Sequence, residues 1–197
     1  MQSFYPQFDM LQNSDHWDEY TARLIRKRMI EPGKPRFLAE QELELLKKVC
    51  SRLLGEENGD RLAQVVGHID HKLADNIGEG YRKANLPEER ILFRNGLTGI
   101  NETAKGLFQG KEFPDLKPEE QDRVLTEMAG GQPPGAIWQG LPAKDFFKIL
   151  LREAVEIYCS LPGVWSQMGY AGPAYPRGYV RIELGGVDPW EAVRDGE

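Results

Sequence analysis

Between residues 38 and 159 apolar side chains return every three or four positions and almost never every second one, so the chain is patterned to fold into packed helices. In LAEQELELLKKVCSRLL (38–54) the stripe is Leu43, Leu46, Val49, Cys50 and Leu53, while Glu44 and Lys48 make a favourable i,i+4 pair on the other side. In DRLAQVVGHIDHKLADN (60–76) it is Leu62, Val65, Val66, Ile69 and Leu73, continued by Ile77. A longer segment from Pro87 to Phe108 aligns Phe93, Leu97, Ile100, Ala104 and Leu107, with Gly96 and Gly99 weakening it. KPEEQDRVLTEMA (117–129) opens with proline at a first helical position and acids in the first turn. The widest face belongs to AKDFFKILLREAVEIYC (143–159), where Phe146, Phe147, Leu150, Leu151, Ala154, Val155 and Tyr158 oppose a polar line of Asp145, Lys148, Arg152 and Glu156. That width predicts a central helix contacted on more than one side.

Two Gly/Pro connections, GLFQGKEFPDLKP (106–118) and GGQPPGAIWQGLP (130–142), separate these segments and read as irregular. The segment WSQMGYAGPAYPRGYVRI (165–182) holds three glycines, two prolines, three tyrosines and a tryptophan. It is too broken for a helix and too aromatic for an ordinary solvent loop. Only GYVRIEL (178–184) alternates as a strand does. The expected fold is therefore mainly α: a compact multi-helix domain with a long irregular Gly/Pro/aromatic C-terminal segment.

With 197 residues and 40% hydrophobic content the chain can bury a sizeable core, enough for one domain with extensions. A net charge of −6 opposes a protein whose main work is gripping phosphate backbones. The one basic cluster, RLIRKRM (23–29), shares its helix with Asp18 and Glu19 and reads as a solvated face. Cys50 and Cys159 lack metal-ligand spacing and sit among apolar neighbours; Cys50 falls on a stripe and reads as core. No stretch is long and apolar enough to span a membrane.

Chemistry-bearing residues are sparse. His68, His71 and Asp75 share one helix face at spacings of three and four, which could present two imidazoles and a carboxylate to a metal. A solvated polar face beside Lys72 accounts for the same letters, and no further ligand is evident. There is no G-x-G-x-x-G, no P-loop and no G-x-S-x-G around Ser51 or Ser166. The acid pairs Glu56/Glu57, Glu88/Glu89 and Glu119/Glu120 sit at helix starts or in loops, where the dipole favours them anyway. What remains is the aromatic tail. Tyr and Trp offer large contact area with a polar tip, as binding surfaces need. A loop folded back on its own helices has the same needs, and the pattern alone does not separate the two.

The order FLAEQELELLKKVCSRLL, VVGHIDHKLAD, FRNGLTGINETAKGLFQGKEFPDLKPEEQDRVLTEM, FFKILLREAVEIYCSLPGVWSQMGYAGPAYPRGY resembles the gluconate 2-dehydrogenase subunit 3 family. Most telling are Phe146 and Phe147 opening a helix, Tyr158 at its end, Pro162 after it, and GYAGPAYPRGY (169–179). YPQFDMLQNSDHWDEYTARLIRKRM (5–29) resembles the extension of members without an export signal, giving an N-terminal extension with one helix (1–36) and a subunit-3-like domain (37–197). The resemblance implies a bacterial, non-catalytic subunit. It binds and stabilises a large FAD-dependent dehydrogenase of the glucose-methanol-choline type that oxidises sugars, sugar acids or glycosides, often with a cytochrome c subunit. FAD sits on the partner, so no cofactor is expected in this chain. The docking surface expected from this is Tyr158, Trp165, Tyr170, Gly172, Pro173, Tyr175, Pro176, Arg177 and Tyr179, with Tyr158 the most internal. Many members begin with a twin-arginine signal; this chain begins MQSFYPQFDML, which points to the cytoplasm or to co-export with a signal-bearing partner. Two other readings stay open: a stand-alone metal enzyme using His68, His71 and Asp75, and a general helical scaffold or chaperone.

Overall fold

The computed structural model describes residues 3–29, 33–78, 80, 82–176, 178, 181 and 186–194. These form seven α-helices: α1 Glu19–Met29, α2 Glu40–Leu54, α3 Gly59–Ala74, α4 Glu89–Leu107, α5 Pro118–Gly130, α6 Ala143–Tyr158 and α7 Pro162–Met168. Three 3-10 helices, Met10–His16, Phe113–Asp115 and Ala136–Gln139, lie between them, and there is no strand among the described residues. The mainly α fold expected from the periodicity is the fold found. The strand candidate 178–184 falls almost wholly outside the described residues. The chain divides into two compact units, Pro32–Glu156 and a unit made of Met1–Glu31 with Ile157–Glu197.

In the Pro32–Glu156 unit, α2 packs against α3, α4 and α5, and α4 packs against α5 and both 3-10 helices of this unit. Leu62, Val65, Val66, Ile69 and Leu73 of α3 are buried, as their spacing predicts. Ile77 does not continue the stripe: α3 stops at Ala74, and the side chain is left 60% exposed. On α2 the buried row is Leu45, Leu46, Val49 and Cys50. Leu43, at the edge of that row, and Leu53, in the last turn, are only half-buried. Helix starts follow their local chemistry. The Asn58 carboxamide accepts from the Asp60 and Arg61 N–H groups at 3.0 and 3.1 Å, and the Glu42 carboxylate accepts from Ala39 N–H at 2.8 Å.

Gly96 and Gly99, which weaken the sequence reading of α4, are the reason its neighbours can close on it. A Cβ at Gly96 would lie 2.1 Å from Cζ of Phe146, and one at Gly99 would lie 2.3 Å from Cζ2 of Trp138. These are notches for two aromatic rings. Phe146 of α6 is fully buried and meets Phe93 edge-on, with ring centroids 5.9 Å apart. Burying such a side chain contributes about 1.5–3 kcal/mol. Trp138 stands on the 3-10 turn Ala136–Gln139, inside a stretch whose Gly and Pro content reads as irregular; its indole N–H donates to Thr103 Oγ1 at 2.9 Å. Leu150 and Ala154 extend the inner face of α6, whereas Phe147 and Leu151 are half-buried and Val155 is 39% exposed. The helix is therefore covered less broadly than its pattern predicts.

The other unit is made of the two ends of the chain. Met10, Ile25 and Trp165 form its buried cluster, with Phe8, Leu11 and Trp17 packed around them. α7 packs on both the 3-10 helix Met10–His16 and α1. Residues 165–168, read as unsuited to a helix, are the last turn of α7, with Pro162 at its start and Gly169 ending it at φ 77°. The glycines and prolines that break the pattern lie after residue 168.

Candidate partner-docking surface

Some of the aromatic tail turns inward, against the N-terminal segment. Trp165 is 6% exposed; its indole N–H donates to the Cys159 carbonyl at 2.5 Å, and the Tyr170 ring meets it edge-on at 5.4 Å. Gly169, at its positive φ, leaves room for the Tyr5 ring, 2.5 Å from where a Cβ would stand. Gly172 is buried beside Met10 and Trp17. Polar bonds close the same seam: Ser3 Oγ donates to the Gln167 carbonyl at 2.8 Å, and Met10 N–H donates to Ser166 Oγ at 3.2 Å.

Other tail residues turn outward. Tyr175 is 67% exposed, Met168 50% and Tyr170 41%, and Pro176 is exposed beside Tyr175. Pro173 and Tyr158 are half-buried. Arg177 and Tyr179 lie outside the described residues. The segment thus has an anchored side, Trp165, Gly169, Ala171 and Gly172, and a presented side, Met168, Tyr170, Tyr175 and Pro176. Sequence spacing could not separate these sides, because what selects between them is the N-terminal segment, more than 150 positions away.

The second candidate set is dispersed in its bonding. The Asp75 carboxylate pairs with the Arg36 guanidinium at 2.7 Å, and His71 Nε2 lies 3.3 Å from the Lys34 carbonyl oxygen. His68 is half-buried, and burial first, then the neighbouring His71, lowers its imidazole pKa below the usual value. Among the described residues no three His, Cys, Asp or Glu side chains gather as a metal would require. Cys50 is fully buried and its thiol is pushed up to about 12 by burial, whereas Cys159 is exposed, against the apolar setting its neighbours suggest.

A groove of about 550 Å³ in the Pro32–Glu156 unit is floored by Leu86, Leu92 and Ile149 and rimmed by charge. Lys83 donates to Asp145 across it at 2.6 Å, and that bond holds the Asp145 carboxyl below the usual carboxylate range. Among the described residues no His, Cys or Ser lines it.

Two buried acids do structural work that the sequence reading passed over. Asp70, fully buried, accepts from the backbone N–H groups of Arg36, Phe37 and Leu38 at 2.6, 3.0 and 2.7 Å, fastening the approach to α2 onto α3. Glu153, 3% exposed, accepts from Lys72 at 2.7 Å, and Lys72 also reaches Glu89 at 3.5 Å, which ties α3, α4 and α6 together. Each is visible as an acid on an apolar stripe: Asp70 lies four after Val66 and three before Leu73, and Glu153 lies three after Leu150.

A family model for gluconate 2-dehydrogenase subunit 3 matches residues 40–177, more than half of the chain. The chain belongs to the gluconate 2-dehydrogenase subunit 3 family. The match runs from α2 through α7 and takes in the outward tyrosines Tyr170 and Tyr175, while α1 precedes it. The family's name describes one subunit of a dehydrogenase complex, so a subunit 3 chain has partner subunits. No curated protein and no solved structure matches this chain.

Proposed function

We propose that this subunit 3 chain is a non-catalytic small subunit that binds and stabilises a large FAD-dependent dehydrogenase of the glucose-methanol-choline type, acting on sugars, sugar acids or glycosides. The observation that carries the reading is the two-sided tail. Trp165 and Gly172 lock it onto the N-terminal segment, which leaves Tyr170 and Tyr175 displayed on a fixed support. Presenting rigid aromatics lowers the entropy lost on association, and such residues supply the energetic centres of protein interfaces. The family match supports a partner subunit. FAD and the base that accepts the substrate proton belong to the large subunit in this reading, with a cytochrome c subunit as the further member.

The test is reconstitution. The large subunit produced with this chain should accumulate as soluble, flavin-loaded enzyme, and produced without it should not. Tyr170→Ala/Tyr175→Ala should weaken the complex at least about tenfold, as loss of interface aromatics does, and should lower the isolated chain's melting temperature by much less, through the lost edge-on contact of Tyr170 with Trp165. Equal losses in both measurements would place the tyrosines in the fold and remove the support for docking.

A further inference from the structure

α1 is joined to its unit by one side of the helix only. Of its eleven residues, Ile25 alone is buried, and Arg28 lies over the Trp165 ring at 5.5 Å. The opposite side carries Tyr20, Arg23, Leu24 and Lys27 at steps of three, four and seven, so these form one continuous row. Tyr20 is 59% and Leu24 42% exposed, and the Arg23 guanidinium lies over the Tyr20 ring at 5.4 Å. Arg23, Arg26 and Lys27 form no ion pair with another described residue. Four cations on this helix face a single acid, Glu19, in a chain whose net charge is −6.

We propose that the Tyr20–Arg23–Leu24–Lys27 face of α1 is a second docking surface, and that it meets an acidic patch on the large partner subunit. The proposal rests on the accessory-subunit reading above. A partner protein suits this face because Tyr and Arg beside an exposed Leu are what interface centres are made of, and because an eleven-residue helix held by one buried side chain gains most from a second support. Arg23 and Lys27, without an ion pair among the described residues, define the partner's sign: carboxylates opposite them would steer association and fix register. The exposed Tyr20 and Leu24 between the cations suit a protein surface better than a phosphate polymer. The face also lies outside residues 40–177, the part of the chain that the family model matches.

The experiment uses the full chain and the large subunit recovered with it, separated and then re-bound on a sensor surface at low and high salt. Arg23→Glu/Lys27→Glu should weaken binding at least about tenfold at low salt, mainly through the association rate, and should flatten the salt dependence. Tyr20→Ala/Leu24→Ala should accelerate dissociation. Both variants should keep the melting temperature of the parent, since all four side chains face solvent. Unchanged affinity and salt dependence in the charge-reversed chain overturns the proposal while leaving the accessory reading intact. So does a matching fall in melting temperature, or a loss confined to binding of phosphatidylglycerol vesicles. If no larger chain is recovered with the parent protein, the accessory reading fails and this proposal falls with it.

Discussion

At the scale of single residues, the chain's least helix-like letters are the ones that let its helices close. Alanine favours a helix by about 1 kcal/mol over glycine, so an exposed Gly→Ala change would stabilise α4. Gly96→Ala and Gly99→Ala should do the reverse, each lowering stability by about 1–3 kcal/mol in urea titrations, because the new methyl meets Phe146 or Trp138 well inside contact distance. A gain in stability at either position would show that the rings are not seated against the helix. Asp70 makes the complementary case. Asp70→Ala leaves three backbone N–H groups without their acceptor and should cost about 3 kcal/mol or more. Asp70 was legible as a charge on an apolar stripe; its partners were not, since residues 36–38 lie more than thirty positions earlier and nothing local marks them.

At the scale of elements, α3, α4 and α6 meet around a charge cluster of Lys72, Glu89 and the buried Glu153. Lys72→Met removes the nearer cation from the Glu153 carboxylate, which is only 3% exposed and keeps Arg152 at 3.6 Å, and should cost about 2–3 kcal/mol, while Lys72→Met/Glu153→Leu should recover most of that loss. Equal destabilisation by the single and double changes would mean that the cluster's charges are not coupled. His68 of α3 gives these helices a pH response with a definite sign. Its imidazole is harder to protonate folded than unfolded, so the unfolded chain takes up the proton first. Stability contributed by the neutral form is present above the ordinary value of 6.5 and drains away as pH falls through the lower folded value. Thermal midpoints between pH 7.5 and 5 should decline, and His68→Gln should flatten the decline. At this scale the sequence was most informative. The three-to-four spacing located α2 to α6 within a few residues, because each helix buries one face and burial writes its own period. It erred where burial ends: at Ile77, past the last turn of α3; at Val155, on the uncovered flank of α6; and at Trp165–Met168, where a seven-residue helix is too short to show a period.

At the scale of the whole molecule, the feature with most bearing on function is that the two ends of the chain build one unit. The N-terminal segment supplies Tyr5, Met10 and Trp17 as the bed on which the tail lies, and that bed decides which aromatics are presented. Deleting residues 1–17 should therefore release the tail and abolish complex formation even though Tyr170 and Tyr175 remain, with affinity for the large subunit as the readout. Sequence pattern raised the question of what the tail packs against but could not answer it, because it carries no register between segments so far apart. The central claim, that this subunit 3 chain is the small partner of a flavin-dependent dehydrogenase, is tested most directly by purifying the tagged full-length chain from its native host and recording subunit masses with the visible spectrum. A larger chain in fixed ratio carrying a flavin spectrum is the expected result; a colourless chain recovered alone, or one holding stoichiometric metal through His68 and His71, would rule the accessory role out.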